Sequence, residues 1–111
     1  MKKYIPILAF SLCSSLATAE YRGPAAYGIG SKKCGEYINA IELSRLGDFS
    51  MLSKFLSWRD GFLSAESLRL NRSFGDTHGS EFWLENYCRE SPLEIFPIAV
   101  VRLIVEMDSK N

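Results

Sequence analysis

Cys34 and Cys88 are the only cysteines beyond residue 13, and a bond between them would tie a position early in the chain to one near its end. A cross-link over so long a span restricts the unfolded chain and adds stabilisation on the order of 4 kcal/mol. A small domain has a modest core and gains much from such a link. The pairing requires that the third cysteine, Cys13, leave the chain, and its surroundings read as a secretory signal. Lys2 and Lys3 supply a positive start, Tyr4 to Leu16 form a mostly apolar run, and Ala17-Thr18-Ala19 gives a small-x-small cleavage pattern. The run is shorter than the roughly 20 residues a membrane-spanning helix needs, and Pro6 and Ser14-Ser15 weaken it further. The bulky Leu12 directly before Cys13 fits a lipid-attachment site poorly. Cleavage after Ala19 is therefore expected, with residues 1–19 a signal peptide and the mature chain periplasmic or secreted. An oxidising compartment and an even cysteine count both favour Cys34–Cys88 over two buried free thiols.

The mature chain keeps 92 of the 111 residues, enough for one domain. Loss of Lys2 and Lys3 leaves 11 basic against 13 acidic side chains, a net charge of −2. No Lys or Arg cluster makes a phosphate-binding stripe, so a nucleic-acid partner is not expected. The apolar run Ile98 to Val105 is interrupted by Arg102 and is too short to span a membrane, so no membrane association is expected after cleavage.

Helical periodicity fills the rest. Residues 20–30 carry Gly23-Pro24 and two further glycines and read as an irregular arm, and 31–111 read as the helical domain. Gly28-x-Gly30 lacks both the third glycine and the preceding strand of a dinucleotide fingerprint. A first helix should start after the N-cap Ser31 and end near Leu46 at Gly47, with Cys34, Tyr37, Ile38 and Ile41 inward. A second should run from Asp48 or Ser50 to about Leu70. Its inward seam is Met51, Phe55, Trp58, Phe62 and Ala65, flanked by Leu52, Leu56, Leu63 and Leu70, and its breadth makes it the expected spine. Gly61 costs that helix about 1 kcal/mol relative to Ala and, with Ala65, would let another helix come close. A turn-rich link, Asn71 to Gly79, leads to a third helix capped by Ser80, with Trp83, Leu84, Tyr87 and Cys88 on one face.

The fourth helix is expected to open at Ser91-Pro92-Leu93-Glu94, which supplies a serine cap, a proline at the first helical position and a glutamate at the third. Leu93, Phe96, Val100, Leu103 and Met107 then make its inner face. Pro97 would fall beyond the tolerated first turn and give a kink or a 3₁₀-like opening. The fold class that follows is all-α: a compact four-helix single domain with one disulfide.

Catalytic chemistry is sparse. His78 is the only histidine, and Asp76-x-His78 offers two ligands where a metal needs three or four, so an exposed loop histidine is the simpler reading. No serine sits in a Gly-x-Ser-x-Gly elbow, and a small hydrolase is only a distant alternative. Glu81, Glu85 and Glu90 could be paired for glycosidic hydrolysis, but charged residues on a wet helix face are the default. Arg59 lies between the two apolar stripes of the second helix. A stem packed on apolar surface with its head in water explains it better than an anion contact. Trp58, Phe62, Phe82, Trp83 and Tyr87 fit a core better than a ligand pocket. No catalytic residue, metal or cofactor is expected. The second stripe of the last helix, Ile98, Val101 and Val105, is the candidate partner surface, because a helix apolar on two sides is either central or buries a face against another chain.

Four motifs carry a family resemblance: Gly30-Ser31-Lys32-Lys33-Cys34-Gly35-Glu36-Tyr37; Trp58-x-x-Gly61-Phe62-Leu63-Ser64; Trp83-x-x-x-Tyr87-Cys88; and Ser91-Pro92-Leu93 before an apolar helix. Together they resemble the Rap1a/Tai immunity proteins, which neutralise injected amidase toxins, and the HdeA/HdeB acid-stress periplasmic chaperones. The immunity family carries more cysteines than the pair here, and the chaperones a more lysine-rich C-terminal segment. The resemblance implies a non-enzymatic protein-binding protein, with a toxin or effector as partner in the first case and misfolded clients in the second. A homodimer is a further alternative. In acid, protonating 13 carboxylates would swing the mature side-chain charge from −2 to about +12 and loosen the bundle by self-repulsion.

Overall fold

Two prolines compete to open the last helix, and the winner sets how the chain ends meet. In the computed structural model, which describes residues 26–75 and 79–110, the helices are α1 (Cys34–Arg45), α2 (Ser50–Leu70), α3 (Ser80–Glu90) and α4 (Phe96–Asp108). The expected signal peptide, the start of the arm and the Asp76-x-His78 pair lie outside the described residues. α4 begins four residues later than Ser91-Pro92 suggests, and Pro97 falls in its first turn. There a missing N–H costs nothing, whereas a start at Pro92 would put Pro97 where the helix needs a donor. Of the two expected forms, the opening is the 3₁₀-like one: Ile98 N–H donates to Ile95 O at 3.1 Å.

The displaced segment Ser91–Ile95 forms a turn, closed by Glu94 N–H donating to the Ser91 carbonyl at 3.1 Å. It then lies antiparallel to residues 32–35. Cys34 N–H donates to Glu94 O at 2.7 Å, Gly35 N–H to Pro92 O at 2.9 Å, and Phe96 N–H to Lys32 O at 2.8 Å. The first two are donors that α1 itself cannot satisfy. The Glu36 carboxylate accepts from Lys33 N–H at 3.0 Å and completes the cap. The expected cap, Ser31, belongs instead to a 3₁₀ turn over Gly28–Ser31, its hydroxyl donating to Gly28 O at 2.9 Å.

Cys34 and Cys88 are bonded, with Cα atoms 4.8 Å apart and no exposure of either residue. The bridge joins the start of α1 to the end of α3, so the two helices run antiparallel. α1 leaves through Gly47 at φ +100, which glycine adopts without steric cost. The Asp48 carboxylate then accepts from the Ser50 hydroxyl and backbone N–H at 2.8 and 3.1 Å as α2 starts.

α1, not α2, is the hub: it packs on all three other helices. Its inner face is Cys34, Tyr37, Ala40 and Ile41, with Ile38 only half-buried. The rings of Tyr37, Phe55 and Phe96, one each from α1, α2 and α4, meet at 4.9–5.4 Å between centroids and close the core. Leu84 of α3 and Leu103 of α4 complete it. α2 is rotated from the expected seam. Phe55 and Leu63 are buried, Trp58, Phe62, Leu52 and Leu56 are half-buried, and Met51 and Ala65 face water. The middle of both stripes, Leu52 to Leu63, therefore forms one inner face with Arg59 at its centre, while Leu70 at the end of α2 is exposed. A Cβ at Gly61 would meet nothing within 4 Å, so no helix uses that glycine to come close.

Candidate interaction surface

The inner face of α4 consists of Phe96, Ala99, Val100, Leu103 and Met107, all buried. At 100° per residue, Ile98, Val101 and Val105 point to the opposite side. Ile98 is half-buried, while Val101 and Val105 are 41 % and 60 % exposed, with exposed Arg102 beside them. The three residues picked out in the sequence thus share one outward face, and none of them belongs to the core. Leu93, expected as the start of the inner face, is 79 % exposed in the turn before α4. The stripe holds no titratable group and offers only apolar area and shape.

Arg59 was expected to hold its head in water. Its side chain is instead 7 % exposed. Nε and Nη2 donate to Asp60 Oδ1 at 2.9 and 2.7 Å, Nη1 donates to Ser80 Oγ at 3.1 Å, and Glu81 lies 3.7 Å from Nη1. Ser80 therefore does not cap α3: its hydroxyl is buried against Arg59, and Gly79 precedes the helix in a left-handed conformation. Periodicity alone could not separate this reading from a snorkelling arginine. The pair Asp60 and Glu81 was the available signal, because a buried cation needs carboxylate partners.

A second polar group ties α1 to α3 at the surface. Arg45 donates to Glu42 at 3.1 Å and to both Glu85 oxygens at 3.0 and 3.1 Å. Arg89 donates to Glu42 and Glu85 at 2.7 Å each. Hydrogen bonds from Arg89 hold both carboxyls below their ordinary range, and for Glu85 the bonds from Arg45 add to the effect. Against the expectation of plain solubility charges, Glu81 and Glu85 each have an arginine partner on another helix, while Glu90 is simply exposed.

Of the aromatics, Trp58 and Phe62 stack at 5.3 Å and Trp83 and Tyr87 at 5.4 Å, all half-buried, while Phe82 is 73 % exposed. Among the described residues, no group of three or more His, Cys, Asp or Glu side chains could hold a metal ion. No helix among them is long and apolar enough to cross a membrane. Compared with protein-family models, with curated proteins and with solved structures, the chain matches none.

Proposed function

We propose that this chain is a non-enzymatic, exported protein-binding protein of the immunity or inhibitor type, and that it meets its partner with the outer face of α4. The carrying observation is that α4 is apolar on two opposite faces, of which only one is buried by the described residues. A solvated helix face is ordinarily polar, so an uncovered valine stripe favours a partner. A standard interface takes roughly 800 Å² from each side. Ile98, Val101 and Val105 would form its apolar centre and Arg102 part of its rim. The buried Cys34–Cys88 bond suits an oxidising compartment.

The test compares the mature chain with Val101→Asp/Val105→Asp, both immobilised and exposed to periplasmic extract at neutral pH. Circular dichroism should confirm an unchanged fold. One dominant partner held by the native chain and lost by the variant is expected. Equal retention by both, or none by either, overturns the reading.

One observation favours the acid-chaperone alternative. The pairs linking α1 to α3 depend on ionised Glu42 and Glu85, so acid would release that face while Cys34–Cys88 still holds the two helices. Hydrophobic-dye binding that rises at about pH 2 to 3 with helix content retained would support it. A folded monomer with unchanged dye binding at that pH would exclude it.

A further inference from the structure

Leu52 of α2 is shared by two adjoining clefts, and no residue of α4 lines either. The first, of about 170 Å³, opens between α1, α2 and α3. Buried Tyr37 and Ile41 line its interior, and Phe82 and Glu81 stand at its edge. A cavity of about 150 Å³ accepts benzene, so the cleft has room for one aromatic or branched aliphatic side chain. The second, of about 260 Å³, continues along α2 past Phe49 and Leu56 to Asp60. Phe49 and Phe82 are large apolar side chains left mostly in water at these edges, which is where a bound segment would cover them.

The charges around the clefts are lopsided. The side chains of Asp60 and Glu81 are 60 % and 58 % exposed, whereas Arg59, the cation touching both, is buried beneath them. Arg45 is committed to Glu42 and Glu85. Two carboxylates therefore face water over the single buried cation of Arg59, an excess of one negative charge, while Arg45, which lines the first cleft with its side chain half in water, is balanced by Glu42 and Glu85. A cleft with an apolar floor at Tyr37, Ile41 and Leu52 and such a polar edge selects its occupant by sign as well as by shape.

We infer that the two clefts form one docking groove for a protein segment that carries a large apolar side chain flanked by Lys or Arg. The apolar side chain enters the Tyr37 cleft, the segment continues over Leu52 and Leu56, and its cations meet Glu81 and Asp60. The groove and the α4 stripe use different residues, so either can fail without the other.

The test titrates the ¹⁵N-labelled, disulfide-bonded chain with the peptide Lys-Lys-Leu-Phe-Lys-Lys. Saturable amide shifts at Ile41, Leu52 and Phe82 are expected, with weaker or no binding of Lys-Lys-Ser-Ser-Lys-Lys and Glu-Glu-Leu-Phe-Glu-Glu. Glu81→Gln should weaken binding about two- to fivefold, and Phe82→Ala about tenfold. Both side chains are exposed, so either variant should keep the fold. Val105→Asp should bind the peptide as tightly as the native chain. Absence of saturable shifts, shifts centred on Val101 and Val105, or equal binding of the serine peptide overturns the proposal.

Discussion

Gly30 lies directly against the indole of Trp58, so close that a Cβ on the glycine would clash with Cε2, Nε1 and Cζ2 of the ring. The contact presses the 3₁₀ turn Gly28–Ser31 onto α2 and fixes where the chain enters the domain. Gly30→Ala must shift the turn or the ring, and overpacking of this kind costs about 1–3 kcal/mol. A lower Tm together with red-shifted tryptophan emission is expected. Gly61→Ala makes the opposite case: it sits in α2 with open space around it, so higher helix propensity should stabilise by about 0.5–1 kcal/mol. Thermal melts of the two variants should therefore move in opposite directions.

Cys34 and Cys88 are both fully buried, which separates the bond's energetic role from its reactivity. Replacing both by Ala should lower stability in urea by on the order of 4 kcal/mol, since the closed loop is long. In native buffer, a thiol reductant should reach the bond only through opening of the α1–α3 contact. Alkylation of the released thiols should therefore be slow without urea and fast with it.

The disulfide, the four helices and the inner stripe of α4 were legible because each is fixed by local chemistry: a cysteine pair, turn residues, and apolar spacing. Asp48, Ser50 and Gly47 marked the α1–α2 corner for the same reason. The start of α4 was not legible. Ser91-Pro92-Leu93-Glu94 is a sound helix opening by itself, and what defeats it is Pro97 further along and the unmet N–H groups of Cys34 and Gly35 far away in sequence. Arg59 was obscured similarly, since a seam traced through apolar residues alone skips a cation at its centre. The hub role of α1 was hidden because Ala40, fully buried on its inner face, adds little hydrophobic signal. For the candidate surface, sequence supplied the three residues, and only the fold could say which α4 face stays in water.

The arginine–glutamate group between α1 and α3 contributes to the acid limit of stability, together with Asp48, held low by hydrogen bonds from Ser50, and Glu66, held low by Arg69. Glu42 and Glu85 have carboxyls below their ordinary range in the fold, so the folded state binds fewer protons than the unfolded one in mild acid. Their contribution is present above the unfolded value of about 4.3 and is lost as pH falls through the lower folded value. Urea midpoints should stay level from neutral pH to about 5 and then decline. Glu85→Gln removes the partner shared by Arg45 and Arg89, and it should make that decline shallower while lowering the neutral midpoint. At the other end, burial pushes the Tyr37 phenol above its ordinary range, so the fold keeps a proton that the unfolded chain releases. Stability should fall above about pH 10, and absorbance should report Tyr37 ionising together with unfolding.

Arg59 is the one buried cation among the described residues, and its removal should be felt at the start of α3. Arg59→Met keeps much of the volume but leaves the buried Ser80 hydroxyl without its partner, while Asp60 and Glu81 remain hydrated. Charge-assisted hydrogen bonds contribute about 1.5–3 kcal/mol each, so a net loss of about 1–3 kcal/mol is expected. Hydrogen exchange should accelerate at Trp83 and Leu84, the first amides bonded within α3, more than at the disulfide end of the helix. Uniform acceleration along α3 would mean that Arg59 supports the bundle generally and does not anchor this end.

The two faces of α4 make the sharpest comparison, because they present the same residue type in opposite surroundings. Val100 is fully buried and Val105 is 60 % exposed, one on the inner and one on the outer face. Val100→Ala removes methyl groups from a packed core and should cost about 1–3 kcal/mol, and Leu103→Ala about 2–5 kcal/mol. Val101→Ala and Val105→Ala should stay within about 0.5 kcal/mol, because surface changes away from packed groups do little and alanine improves helix propensity. Urea melts of the four single variants, read by circular dichroism, check the division. If the outer valines cost as much as Val100, the stripe is packed in solution, and a test with concentration then tells whether a second copy covers it. A midpoint that rises with protein concentration for the native chain, but not for Val105→Asp, would identify that second copy. A midpoint independent of concentration leaves the face open for a different protein.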